Sequence, residues 1–132
     1  MKSIQQWSVF QMTMAKGQQI RSPHFVLHHW QGQDESTTGP GLEKAPALFA
    51  DIGLGVVVPK RLAKQAVTRN LIRRQVKEVW RLAHNQLPRA LYVVRLKASF
   101  SARDFNSAAS VALRQTVRHE LNQLVAQLQA QT

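Results

Sequence analysis

Apolar residues recur along the chain in two rhythms. Ile4, Trp7, Phe10 and Met14 fall at helical spacing between Ser3, a candidate N-cap, and Ala15, and Gly17 supplies a stop. Trp7 reads there as core or helix–sheet packing. From His24 to Trp30 the rhythm shortens to alternation, as in a strand. Phe25, Leu27 and His29 share one face, and Val26, His28 and Trp30 the other. Ile52–Val58 (IGLGVVV) is nearly unbroken apolar sequence and predicts a central strand buried on both faces, ended by Pro59. A connection over Lys60–Val67 leads to a helix over Thr68–Asn85, and Leu91–Leu96 predicts another strand after Pro88. A last helix is expected within Ser101–Gln129, with Leu113, Val117, Leu121, Leu124 and Leu128 among its apolar positions. The polar, Gly- and Pro-containing stretch 31–51 predicts a mobile surface loop, and 130–132 a frayed end.

The order helix, strand, strand, helix, strand, helix predicts an α/β (α+β) two-layer sandwich. A small central sheet of three to four strands is expected, with three helices. At 132 residues the chain has room for one domain, 1–132.

The helix over Thr68–Asn85 carries the strongest pattern. On a wheel, Ile72, Val76, Val79, Trp80 and Ala83 form a core face. Asn70, Arg73, Arg74, Lys77, Arg81 and His84 fall on the opposite half, several of them one turn apart. A packed helix thus holds a stripe of cations in place. Guanidinium groups offer paired donors to phosphate oxygens and stay charged at any relevant pH.

Charge sharpens that picture. The net charge is +11, yet residues 1–59 are neutral, with four basic and four acidic side chains. Residues 60–132 hold fourteen basic and three acidic residues. Lys60, Arg61, Lys64, Arg69, Arg73, Arg74, Lys77 and Arg81 crowd into 60–81 against Glu78 alone. A focused basic segment points to a polyanion, with nucleic acid ahead of a merely solvated face. An acidic membrane surface is third, since no bulky apolar stripe flanks the cations.

The same residues exclude several chemistries. There is no cysteine, hence no disulfide framework or thiolate chemistry, and a reducing cytoplasm suits the chain. No apolar run approaches a transmembrane length, and MKSIQQWSVF lacks the apolar core of a secretory signal. No metalloprotease-type histidine pair, glycine-rich phosphate loop or Ser/His/Asp set stands out. His28 and His29 are adjacent on a strand and face opposite ways, so no metal site is expected there. A protein-only ribonuclease using two of His24, His28, His29, His84 and His119 remains a competing class, as does a DNA-binding helix.

The stretch GLGVVVPKRLAKQAVTRNLIRRQVKEVWR resembles the signature of the bacterial ribonuclease P protein component. Lys60 and Arg61 match the basic pair after the strand, Arg69 and Asn70 the Arg-Asn motif, and Arg73 and Arg74 the later basic pair. Leu71 stands where the family usually has Arg. FQMTMAKGQQIRSPHFVL resembles the family's first helix, Gly turn and strand, with Phe10 at the first aromatic position and Met14 at the second. LYVVRLKA resembles the last core strand, with Arg95 at an often basic position.

The resemblance implies a left-handed βαβ crossover through the Arg-Asn helix. It also implies a ribonucleoprotein endoribonuclease that removes 5′ leaders from precursor tRNA. The catalytic RNA subunit then carries the chemistry with Mg²⁺ largely bound to RNA, and the protein has no catalytic residue or metal site of its own. Implied partners are the ribonuclease P RNA and precursor tRNA, with no membrane or DNA. Lys60, Arg61, Lys64, Arg69, Asn70, Arg73, Arg74, Lys77 and Arg81 are expected to bind RNA backbone, which is read by shape and phosphate. On periodicity alone Phe10 and Met14 are core positions. The resemblance adds them, with His28 and Arg95, to a separate groove for the single-stranded leader, where flat side chains and cations suit unpaired bases. A ribosomal or general RNA-binding protein of similar fold shares every compositional feature.

Overall fold

The computed structural model describes residues 2–31, 52–100 and 111–131. In chain order the elements are β1 (Lys2–Ser3), α1 (Trp7–Lys16), β2 (Gln18–Arg21), β3 (Phe25–Trp30), β4 (Gly53–Val57), α2 (Ala66–Ala83), β5 (Leu91–Leu96) and α3 (Val111–Ala130). A single 3-10 turn, His84–Gln86, follows α2. The strands form one mixed sheet in the order β1-β4-β5-β3-β2. β4 is parallel to β1 and β5, whereas β3 is antiparallel to β5 and β2. The parallel pair β4–β5 is joined through α2, the βαβ unit expected of this order.

Two strands more than the helix–strand rhythm shows are present. β2 (QQIR) buries only Ile20, so its lone apolar residue gives no alternation to detect. β1 is two residues long and exists through its pairing with Gly53 and Leu54. The sheet therefore has five strands rather than three to four.

The first helix also begins later than expected. Ser3 lies in a strand, and α1 starts at Trp7 after Gln6, which offers no side-chain cap. Ile4 is buried ahead of the helix, and α1 buries Val9 and Thr13. The Thr13 hydroxyl donates to the Val9 carbonyl at 2.8 Å, so it enters the core satisfied. Trp7 is rotated out and is 59% exposed, which overturns its reading as core. Gly17 does end the helix. A β-carbon there would lie 2.7 Å from the His29 carbonyl oxygen, so only glycine lets α1 turn into β2 against β3.

The two sheet faces differ. One is covered by α2 and α3 and carries the main core, including Phe25, Leu27, Ile72, Val76, Trp80, Tyr92, Val94, Leu121 and Leu124. Each large apolar side chain buried there contributes about 1.5–3 kcal/mol relative to exposure. The Tyr92 hydroxyl reaches the Pro88 carbonyl at 2.6 Å, and burial pushes its pKa up. α1 lies across β3 and β5 on the other face, packing Val9 against Trp30, Leu91 and Val93.

α3 is tied to the sheet by one carboxylate. Buried Glu120 accepts hydrogen bonds at Oε1 from the Ser22 hydroxyl and the His24 backbone N–H. Its Oε2 lies 2.9 Å from His24 Nδ1. The β2–β3 turn is thus fastened to α3. Most of the loop expected over 31–51, all of 101–110 and Thr132 lie outside the described residues.

Candidate nucleic-acid interface

α2 forms as its sequence pattern dictates. Ile72, Val76, Val79 and Trp80 are buried, and the cations stay on the outer half. Gln75 is also buried, with its Oε1 accepting from Arg118 of α3 at 3.2 Å. Leu71 packs against the main core. Its position, where the resembling family usually has Arg, therefore serves packing in this chain.

The expected RNA-binding residues do not behave alike. Lys60, Arg61 and Lys64 are exposed on the connection after β4. Arg69 is half-buried and donates to the carbonyls of Ala63 and Lys64 at 2.8 and 2.9 Å. It fastens the basic connection to α2, which gives it a structural task. Asn70, Arg74 and Lys77 are exposed, and Arg73 is half-buried. Arg81 is paired with Glu78 at 2.6 Å, and its hydrogen bond holds the Glu78 carboxyl below its ordinary pKa. Among the described residues, Arg73, Arg74 and Lys77 have no carboxylate within salt-bridge distance.

Phe10 meets these cations. A cleft of about 360 Å³ is lined by Ser3, Ile4, Phe10, Leu54, Gly55, Val56, Arg73, Lys77 and Arg81. It exists because β1 is so short. β1 covers β4 only at Gly53 and Leu54, which leaves Val56 and Val57 half-exposed. β4 is thus not buried on both faces along its length, as its apolar sequence predicts, because its neighbour ends early. Ile4 N–H donates to Leu54 O on the β1 side. By strand alternation Val56 turns its own N–H and C=O to that side, past the end of β1. The Phe10 ring lies where a β-carbon on Gly55 would be, with Cζ 2.7 Å from that point. The cleft therefore combines an aromatic wall, a backbone edge and a cationic wall. Two functions expected on separate surfaces share one boundary.

His28 and Arg95 lie farther along the same sheet face as Gly55. The register places Gly55, Val93, His28 and Gln19 in one cross-strand row, and Val57, Arg95, Val26 and Arg21 in the next. Met14 is half-buried against the cluster under α1 and does not line the cleft. His28 is only 2% exposed, and neither ring nitrogen has a hydrogen-bond partner among the described residues. Its pKa is lowered by burial first, then by Arg95 and Arg21. It is therefore kept neutral at neutral pH. His29 faces the other way and stacks with Tyr92 at 6.4 Å.

Arg21 and Trp7 have no place in the sequence reading of the site. Arg21 hides in the neutral first half of the chain, and its strand is visible only through the pairing with Val26. Trp7 is disguised by helical spacing that starts at Ile4, three residues before the helix does. No group of three metal-ligating side chains occurs among the described residues, and cations wall the cleft, so its residues do not fit Mg²⁺. No helix among them is long and apolar enough to cross a membrane.

Comparison with known proteins gives a consistent result. The Ribonuclease P family model matches residues 1–129. The ribonuclease P protein component of Ralstonia pickettii is 44% identical over 104 residues, 79% of this chain and 62% of that protein. That of Bordetella parapertussis is 38% identical over 69 residues, 52% of each chain. The matched stretches thus span about half to three-fifths of these relatives. The RNase P protein of Staphylococcus aureus has the same fold, with a TM-score of 0.65 at 18% identity over 97% of both chains. The Thermotoga maritima RNase P protein gives 0.64 at 19% identity, over 98% of this chain and 97% of that one.

Proposed function

The chain belongs to the ribonuclease P protein family, and we propose that it is the protein subunit of a bacterial ribonuclease P. In this reading it binds the catalytic RNA and the 5′ leader of precursor tRNA, and so assists endonucleolytic maturation of the tRNA 5′ end in the cytoplasm. The RNA carries the chemistry and holds the Mg²⁺, in keeping with a cleft walled by cations rather than carboxylates.

The observation that carries the proposal is the meeting of Phe10 with Arg73, Lys77 and Arg81 across the β4 edge. An unpaired strand presents phosphates on one side and base faces on the other, and this cleft offers a partner for each. Arg74, Asn70, Lys64, Arg61 and Lys60 extend the basic surface away from the cleft and suit the backbone of folded RNA. One protein then bridges two RNAs through adjoining surfaces. Arg69 supports this interface by holding the 60–65 connection rather than by adding a free cation. Arg95 and Arg21 form the far end of the leader path in this reading, whereas His28, expected in the groove from the sequence, is too buried to meet RNA.

Reconstitution tests it. Added to a bacterial ribonuclease P RNA at low Mg²⁺, the chain is expected to accelerate 5′ processing of precursor tRNA. No stimulation refutes the proposal. A general RNA-binding protein would bind the same RNAs without raising the rate.

A further inference from the structure

Trp7 leaves 59% of its surface in solvent, whereas Trp30 leaves 7% and Trp80 none. Lone exposed apolar side chains are common and carry no message by themselves. Trp7 differs because its ring is held in place beside the cleft. Its centroid lies 5.9 Å from that of Phe10, with 29° between the planes, as expected for stacked neighbours one helical turn apart. Phe10 is itself seated over Gly55 and lines the cleft with Arg73 and Lys77. The stack therefore begins inside the cationic cleft and ends in solvent on the indole. α1 carries no acidic residue to repel a phosphate chain, and its single charge is Lys16.

We infer that Trp7 is a nucleobase-stacking residue that extends the single-strand cleft outward. The base next to the one seated at Phe10 stacks on the indole, and the chain grips one more unpaired nucleotide of the leader. Stacking of this kind tolerates any base, because every base has a π-face. The inference rests on the reading of the cleft as a site for unpaired RNA.

Its test uses the fluorescence of the full chain. Trp30 and Trp80 are sheltered, so quenching by an added single strand reports on Trp7. A short oligoadenylate at low salt is expected to quench the emission, and a duplex RNA of equal length to quench it far less. Trp7→Leu should abolish that quenching and weaken oligoadenylate binding about 5- to 100-fold. Trp7→Tyr, which keeps a π-face, should recover most of the affinity. The exposed position lets these variants fold, which circular dichroism checks. Unchanged affinity in Trp7→Leu overturns the inference. So does Trp7→Tyr binding no better than Trp7→Leu, which would point to plain apolar contact. Equal quenching by the duplex, or none by the single strand, also overturns it. Processing by the reconstituted wild-type complex separates the two levels: if it is stimulated while Trp7→Leu binds normally, only the role of Trp7 falls.

Discussion

The ring of Phe10 occupies the space that a β-carbon on Gly55 would need. This contact fixes the aromatic wall of the cleft against a strand that carries no side chain at that point. Gly55→Ala would push the ring outward, and displacing a well-packed group in this way costs about 1–3 kcal/mol. The expected result is a lower melting temperature and weaker binding of the precursor leader. Phe10→Ala should weaken leader binding as well, while leaving assembly with the catalytic RNA nearly intact, because the exposed cations of α2 remain. Paired measurements on precursors with long and minimal leaders check this. Equal losses on both would place Phe10 in the core alone.

The main architecture was legible from the chain because it rests on long periodic segments. Ile72, Val76, Val79 and Trp80 define α2 in sequence and in space, and Leu91–Leu96 is a strand in both. What escaped depended on partners far away in sequence. Gln18–Arg21 has one buried residue and becomes a strand only by pairing with Val26–His29. Trp7 has the spacing of a core residue, yet the helix starts with it, and its phase turns the indole to solvent. The candidate site divides the same way. The cations of 60–81 can be counted in the sequence, but the placement of Phe10 beside Arg73 depends on where β1 stops.

Salt dependence offers a second prediction, because Glu78 occupies the only acidic position among the cations of α2. Its pair with Arg81 is exposed, so breaking it should barely move stability. Glu78→Gln frees Arg81, which lines the cleft, and removes the negative charge beside it. RNA affinity should rise, and the slope of log affinity against log salt should steepen by up to about one. Arg73→Ala combined with Arg74→Ala should weaken binding and flatten that slope by roughly one to two. Titrations across a salt series measure both. Slopes unchanged in the double variant would remove this face of α2 from the interface.

Glu120 is the one buried carboxylate among the described residues, and it satisfies groups of the β2–β3 turn. Glu120→Ala would leave the His24 N–H without its acceptor and the Ser22 hydroxyl with only the Phe25 carbonyl, at 3.4 Å. Each stranded polar group costs on the order of 1–3 kcal/mol. Denaturant unfolding should show a loss in that range, and hydrogen exchange should quicken first in the turn at Ser22–His24. Uniform loosening of the whole sheet would contradict a local fastening role. Glu120→Gln keeps one acceptor and should lose less.

The pH dependence of stability should carry the mark of His28. In the folded chain its pKa lies below the ordinary value of 6.5, through burial and the nearby Arg95 and Arg21. His29 is shifted the same way by burial. Unfolding returns both rings to ordinary values, so near and below pH 6.5 the unfolded chain binds protons that the folded one refuses. Stability is therefore highest above 6.5, and falls as the pH drops from there toward the lowered folded values. Replacing His28 with Phe removes one of the two titrating groups and the unpartnered ring nitrogens together. The variant should lose less stability between pH 7 and 5 than the parent, as denaturant midpoints at matched ionic strength will show. An unaltered pH profile would mean that His28 reaches solvent or a partner and is not held neutral by its surroundings.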